Sequence, residues 1–167
     1  MIQEWLLGFQ QWSQEILGAW GYLGVFIVSF IGNATIMLPL PSILAVFLAG
    51  AFLNPWVVGL TAGLGAAIGE LTGYLIGRGG RKVAEKKQHK WLKRTKHLIK
   101  KRGIFPVLVV FAATPLPDDA AGIVAGLLNY DWRKFLLASF IGKSVMNICV
   151  AWAGFYGSAW VLGYFGL

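Results

Sequence analysis

The sequence is short of nearly everything from which a soluble enzyme or a secreted domain is built. It has one cysteine, Cys149, in 167 residues, which excludes an internal disulfide and a cysteine-based zinc site. His89 and His97 have no carboxylate or cysteine at ligand spacing, and no serine in the apolar segments has a histidine to activate it. There is no His-Glu-x-x-His. Gly142-Lys143-Ser144 ends like a phosphate-binding loop, but Leu137 stands where the first glycine of that motif belongs. Neither catalytic residues nor a metal or cofactor is expected, and the chain reads as a non-enzyme. Met1-Ile2-Gln3-Glu4-Trp5 lacks the positive start and small-residue cleavage site of a secretory signal, so the hydrophobic segments are read as mature structure.

Charge is scarce too. Charged residues make up 13% of the chain, against roughly 25% in a typical soluble domain, while hydrophobic residues reach 57%. The fifteen bases are very unevenly placed: twelve lie within residues 78–102, with Glu85 as the one acid there. Everywhere else there are three bases and six acids. A nearly uncharged apolar chain with one cationic interruption is not a soluble domain, because runs of about 18 apolar residues normally need lipid.

Residues 1–20 repeat apolar side chains at helical spacing (Trp5, Phe9, Trp12, Ile16, Trp20), with Gln and Glu on the other face. They read as an amphipathic helix in the membrane interface, or else as a helix packed on the bundle. Residues 21–53 are apolar but broken at Pro39-Leu40-Pro41, where two prolines stop a helix. Ser42 to Leu53 covers only about 18 Å as a helix, too short for a hydrocarbon core of ~30 Å. A re-entrant hairpin with its tip at Pro39, Pro41 and Ser42 is expected. Residues 55–77 form a full span with Gly65, Gly69, Gly73 and Gly77 in one row, the spacing that lets helices approach closely in lipid.

Residues 78–102 read as a cytoplasmic cationic segment lying on anionic lipid headgroups; nucleic acid is the less favoured partner because the flanking chain is apolar. Residues 103–129 are broken again, at Thr114-Pro115-Leu116-Pro117-Asp118-Asp119, giving a second re-entrant hairpin with its tip at Pro115 and Pro117. Residues 133–155 make a second span, and the apolar tail 156–167 either continues it or folds back.

The two broken segments match at a constant offset of 76. Pro39-Leu40-Pro41, Ala45, Ala49-Gly50 and Trp56 correspond to Pro115-Leu116-Pro117, Ala121, Ala125-Gly126 and Trp132, seven identities in eighteen positions. Each copy is followed by a span. The cationic segment puts the end of the first span and the start of the second on the cytoplasmic side, so the copies are inverted and their tips approach the midplane. The expected architecture is an all-α polytopic membrane protein: one domain, an inverted repeat of re-entrant hairpin plus transmembrane helix, with an amphipathic N-terminal helix.

Few charges remain inside this frame, and a charge in lipid normally faces a cavity or a partner. Glu70 lies about 10 Å inside its span. Asp118 and Asp119 follow the second tip, and Lys143 lies within the last span with Asn147 one turn on. These are the candidate transport and coupling residues: the acids for a proton or sodium ion, Lys143 for a phosphate headgroup. Asn33, Thr114, Asn147 and Arg78 are candidate supporting groups. Plainer roles stay open: Ser42 and Asp118 as helix caps, Lys143 as a neutraliser of one of the acids, and Glu70 paired with a nearby tyrosine or arginine such as Arg78.

Gly65-Ala66-Ala67-Ile68-Gly69-Glu70, then Tyr74, Gly77-Arg78 and Gly80, resembles the motif preceding the cytoplasmic loop in the DedA family, also described as SNARE-associated or VTT-domain proteins. Pro117-Asp118-Asp119, Ala125-Gly126, Phe135 and Ile141-Gly142-Lys143 resemble the family's second half, in the branch near the vacuole membrane proteins. The resemblance spans roughly residues 20–155. It implies two opposed re-entrant hairpins and a lipid transporter, a flippase of polyprenyl-phosphate carriers or a phospholipid scramblase. The chain departs from many bacterial members in having Ser42 in place of an acid after the first tip. It also has Thr114, Pro115 and the Asp118-Asp119 pair where they carry arginines, which leaves Lys143 as the one midplane cation. A small-solute or drug exporter using the same acids, and a non-transporting membrane organiser docking through residues 78–102, are the alternatives. The prokaryotic plasma membrane is the expected location.

Overall fold

The computed structural model describes residues 20–34, 39–86, 103–114 and 119–164, and these fold into six α-helices: α1 (Tyr22–Ala34), α2 (Pro39–Phe52), α3 (Pro55–Lys86), α4 (Phe105–Ala112), α5 (Asp119–Leu127) and α6 (Trp132–Tyr164). Two are much longer than the rest. The 32 residues of α3 and the 33 of α6 each extend about 50 Å at 1.5 Å per residue. Within them, Pro55–Arg81 and Trp132–Gly157 are long and apolar enough to cross a membrane.

The long helices form the central pair and run antiparallel. Trp56 meets Trp152 edge to face at 5.8 Å, and Tyr74 stacks on Phe135 at 5.2 Å near the other end. Between these contacts Gly59 lies against Ile148 and Gly63 against Ser144, so close that a Cβ at either glycine would run into the facing helix. Small residues are what permit this separation: without a hydrophobic force between lipid-embedded helices, close van der Waals packing holds them together.

The short helices are arranged on this pair by a repeated rule. α1 runs in the direction of α3, with Gly65 against Phe26 and Phe30 and Gly69 against Phe30, Asn33 and Ala34. It starts level with the start of α3, where the Asn54 amide donates to the Tyr22 hydroxyl at 3.2 Å. It ends just past the midpoint of α3, where the Thr72 hydroxyl donates to the Ala34 carbonyl at 3.1 Å. α2 then brings the chain back to Asn54 and packs on α6, Gly50 against the backbone of Ala151. In the second half α4 packs on α6, with Ala112 against Gly142, and α5 packs along α3. Thus each first short helix lies on the long helix that follows it, and each second one lies on the long helix of the other half.

Local chemistry fixes the starts of both long helices. Asn54 caps α3, its Oδ1 accepting from Trp56 N at 3.0 Å, and Asp131 caps α6, its Oδ1 accepting from Arg133 N at 2.8 Å and Lys134 N at 3.2 Å. α5 ends with Asn129 in the left-handed region (φ 54°), closed by Asn129 N to Gly126 O and Tyr130 N to Ala125 O. Two apolar clusters result. Val25, Val46, Val58, Ala62 and Ala151 form one at the start of α3, and Tyr74, Ile104, Leu108, Ala125, Phe135 and Ala138 form the other at the start of α6.

Two boundaries differ from the sequence reading. Pro39 and Pro41, expected to stop a helix, open α2 instead, because the first turn of a helix needs no amide donors. Ser42 is consequently not a cap but the fourth residue of α2, buried to 4% exposure. The span expected to stop at residue 77 continues through the first nine residues of the basic segment to Lys86. No proline interrupts residues 78–102, and Lys, Arg, Glu and Ala favour helix. Of the two courses left open for the tail, the described residues take the first: α6 continues to Tyr164.

Candidate functional site

A polar layer separates the two apolar clusters. The buried polar side chains among the described residues are Ser29, Ser42, Glu70, Ser139, Lys143, Ser144 and Asn147. At the centre, Lys143 Nζ lies 3.0 Å from Glu70 Oε1, both side chains 5% exposed. The pair bridges the two long helices close to the middle of their crossing, one charge from each half of the chain.

The helix geometry explains why these groups meet. Ser139, Lys143 and Asn147 are spaced by four residues and so line one face of α6. All three are buried, while Leu137, Ile141 and Val145, equally spaced along another face of the same helix, are exposed. The same inversion holds elsewhere: Leu23, Ile27 and Ile31 of α1, Leu44, Leu48 and Phe52 of α2, and Leu60 and Leu64 of α3 all face outward. Apolar outside and charged inside is the arrangement that lipid selects, since polar groups there must be satisfied within the protein.

The other polar groups are held by backbone. Asn147 Nδ2 donates to the Lys143 carbonyl at 2.8 Å, and Asn33 Nδ2 donates to the Ser29 carbonyl at 2.8 Å. Ser29 Oγ and Ser144 Oγ are buried without a hydrogen-bond partner, Ser144 against Gly63. The ends of the broken segments converge here: Ala34 ends α1 at Thr72, and Ala112 ends α4 at Gly142, next to Lys143. α5 begins at Asp119, and one turn later Gly122 lies 3.6 Å, measured from a Cβ position, from the Glu70 carbonyl.

Of the residues singled out by sequence, the structure brings Glu70 and Lys143 into contact and puts Asn147 one turn from Lys143. Asn33 is half-buried on α1. Thr114, beyond α4, is half-buried and donates to the Phe111 carbonyl at 2.8 Å. Arg78 is exposed two turns beyond Glu70, and the partner of Glu70 is Lys143 rather than Arg78. Asp119 is the first residue of α5, while Pro115, Pro117 and Asp118 lie outside the described residues, as do the N-terminal amphipathic segment 1–19 and basic residues 87–102. Sequence reasoning missed Ser139 and Thr72. Ser139 was legible as the residue one turn before Lys143; Thr72 carried no signal, because its role depends on where α1 ends.

Outside the spans, the Asp131 carboxyl is held below its ordinary range by the Lys134 and Arg133 amides it accepts from. The neighbouring Tyr130 hydroxyl is pushed up by burial and by the Asp131 charge. The Tyr130 carbonyl accepts from the hydroxyl of Tyr74, tying the turn before α6 to α3.

A helical membrane-type fold with a charge pair between inverted-polarity helices defines a class, and comparison with known proteins gives the family. The VTT domain matches residues 39–156, well over half of the chain, which therefore belongs to the VTT-domain (DedA) family of membrane proteins. The chain is similar to the inner membrane protein YqaA of Escherichia coli, 26% identical over 118 residues, covering 71% of this chain and 80% of that protein. The same match holds for YqaA of Shigella flexneri. It is also 26% identical over 146 residues to the uncharacterized protein MJ0201 of Methanocaldococcus jannaschii, covering 83% of this chain and 87% of that one. No solved structure matches.

Proposed function

We propose that the protein moves lipids between membrane leaflets, as a flippase or scramblase of phospholipid or polyprenyl-phosphate lipid, and is not an enzyme. The observation that carries this is the buried Glu70–Lys143 pair, set at mid-length of two antiparallel apolar helices where α1 and α4 both stop. A helix that stops halfway along its neighbour, followed by one that returns to the same end, is the form of a re-entrant hairpin. On this reading the two halves are inverted copies.

Glu70 and Asp119, with Asp118, supply the acids for proton or sodium coupling, and Lys143 is the cation for a headgroup phosphate. The location is the plasma membrane of a prokaryote, in keeping with the inner membrane relative. The cationic extension of α3 and the residues after it face the cytoplasm against anionic lipid headgroups. The test is leaflet exchange of a labelled phospholipid in proteoliposomes holding the full chain. Wild type accelerates exchange, and Glu70→Ala with Asp119→Asn abolishes it. Exchange unchanged in that variant removes the site assignment. Proton flux driven by a small solute, with no lipid movement, replaces the lipid reading with an exporter.

A further inference from the structure

A buried ion pair is a poor way to hold two membrane helices together. Taking both charges out of water costs several kcal/mol per ion, and well-packed apolar residues of similar size often do as well or better. Here apolar packing is already supplied on both sides of the pair by the two clusters, and by the Tyr74–Phe135 stack. Lys143 is also the one Lys or Arg among the buried residues described; Arg78, Arg133 and Lys134 are exposed toward the helix ends. Its polar row continues one turn each way into Ser139 and Asn147; Asn147 Nδ2 gives one N–H to the Lys143 carbonyl and keeps a second. An anion with several acceptor oxygens on Lys143 lies within one turn, about 6 Å along α6, of both Ser139 and Asn147.

We propose that Glu70 is a built-in stand-in for an anionic phosphate group: it occupies Lys143 when the site is empty, and a phosphate monoester displaces it when the site is loaded. The two states exclude each other by charge. One ammonium satisfies one anion, and holding both would leave a buried negative charge uncompensated. The displaced Glu70 takes up a proton from water as the phosphate monoanion enters, so the layer holds one ammonium and one anion whether empty or loaded. The exchange also sets affinity, because every binding event first has to break the internal pair. This deepens the lipid-transport reading and rests on it for the identity of the phosphate carrier.

The two partners are expected to respond with opposite signs, which a purely structural salt bridge does not do. Binding of decyl phosphate, inorganic phosphate and decyl maltoside is measured on the purified full chain in detergent, together with thermal unfolding of each variant. Glu70→Gln keeps the side-chain shape and removes the internal competitor, so it binds decyl phosphate about ten-fold tighter than wild type. Lys143→Gln binds it at least ten-fold more weakly. The double variant loses the tightening of Glu70→Gln, because without the Lys143 ammonium nothing holds the phosphate. Both single variants unfold at lower temperature, since both break the pair.

Glu70→Gln binding decyl phosphate equally or more weakly than wild type overturns the proposal, and so does tightening seen equally for decyl maltoside. Inorganic phosphate following decyl phosphate in all variants means that a free anion is the ligand; decyl phosphate alone responding means a lipid headgroup. If neither single variant can be purified folded, Glu70→Asp serves instead. A carboxylate withdrawn by one methylene competes less well, and tightening is again expected. Lipid exchange in proteoliposomes separates the two levels. Exchange present with no tightening in the variants sinks the stand-in role and leaves lipid transport intact, whereas tightening with no exchange sinks lipid transport and leaves an anion site.

Discussion

The half from α1 to α3 and the half from α4 to α6 share a frame and differ in charge. In both, a first short helix lies along the following long helix, a second lies along the long helix of the other half, and a glycine seats that second helix. Gly50 sits against Ala151 and Gly126 against Tyr74 and Arg78. In both, a tyrosine hydroxyl anchors the turn before the long helix, Tyr22 to Asn54 and Tyr74 to Tyr130. Yet the first half supplies the acid and the second the base. Positions that set backbone separation are alike, because a Cβ there has nowhere to go. The charged positions differ and form a complementary pair.

The comparison can be broken most severely at that pair. Glu70→Ala leaves Lys143 buried without its partner and is expected to cost about 3–5 kcal/mol, whereas Glu70→Leu with Lys143→Met recovers most of it. Unfolding of the purified protein by denaturing detergent, run as a double-mutant cycle, measures both. Additive losses would mean that the charges do not depend on each other. Next come the seating glycines: Gly50→Ala and Gly126→Ala should each cost about 1–3 kcal/mol by overpacking, and similar costs are what equivalent halves require. A loss confined to one position would show that only one half uses the contact. Gly79 has open space around it, and Gly79→Ala should raise stability by up to about 1 kcal/mol through helix propensity.

Smaller effects separate the two tyrosine anchors. Tyr74→Phe removes a hydrogen bond from a buried ring and should cost about 1 kcal/mol. Tyr22→Phe, whose bond is exposed, should cost less. The smallest effect is at the caps. Because the Asp131 carboxyl is held low in the folded protein, its cap contributes above the usual carboxylate range and is lost as pH falls through the lowered value. Stability followed from neutral pH downward should therefore decline by an increment that Asp131→Ala lacks, while the neutral cap Asn54 in the other half adds no such increment. An equal decline in Asp131→Ala would assign the acid sensitivity elsewhere.

Much of this was legible in the sequence because membranes impose simple rules. Long apolar runs, a 76-residue offset linking Ala49-Gly50 and Trp56 to Ala125-Gly126 and Trp132, and one dense cationic segment were enough to mark the long helices, the broken segments and the scarce internal charges. Glu70 and Lys143 stood out because charge inside such runs is costly. The sequence left open which charges pair, because pairing depends on the antiparallel crossing of α3 and α6 and on the rotation of each helix about its axis. Tertiary structure decided that Lys143 faces Glu70, with Arg78 left outside, and that Ser139 and Asn147 share its buried face. It also decided that Pro39 opens a helix instead of sitting in the turn before it. A proline stops a helix arriving from its N-terminal side and is well suited to begin the next, so its effect depends on where the neighbouring helices let the chain turn.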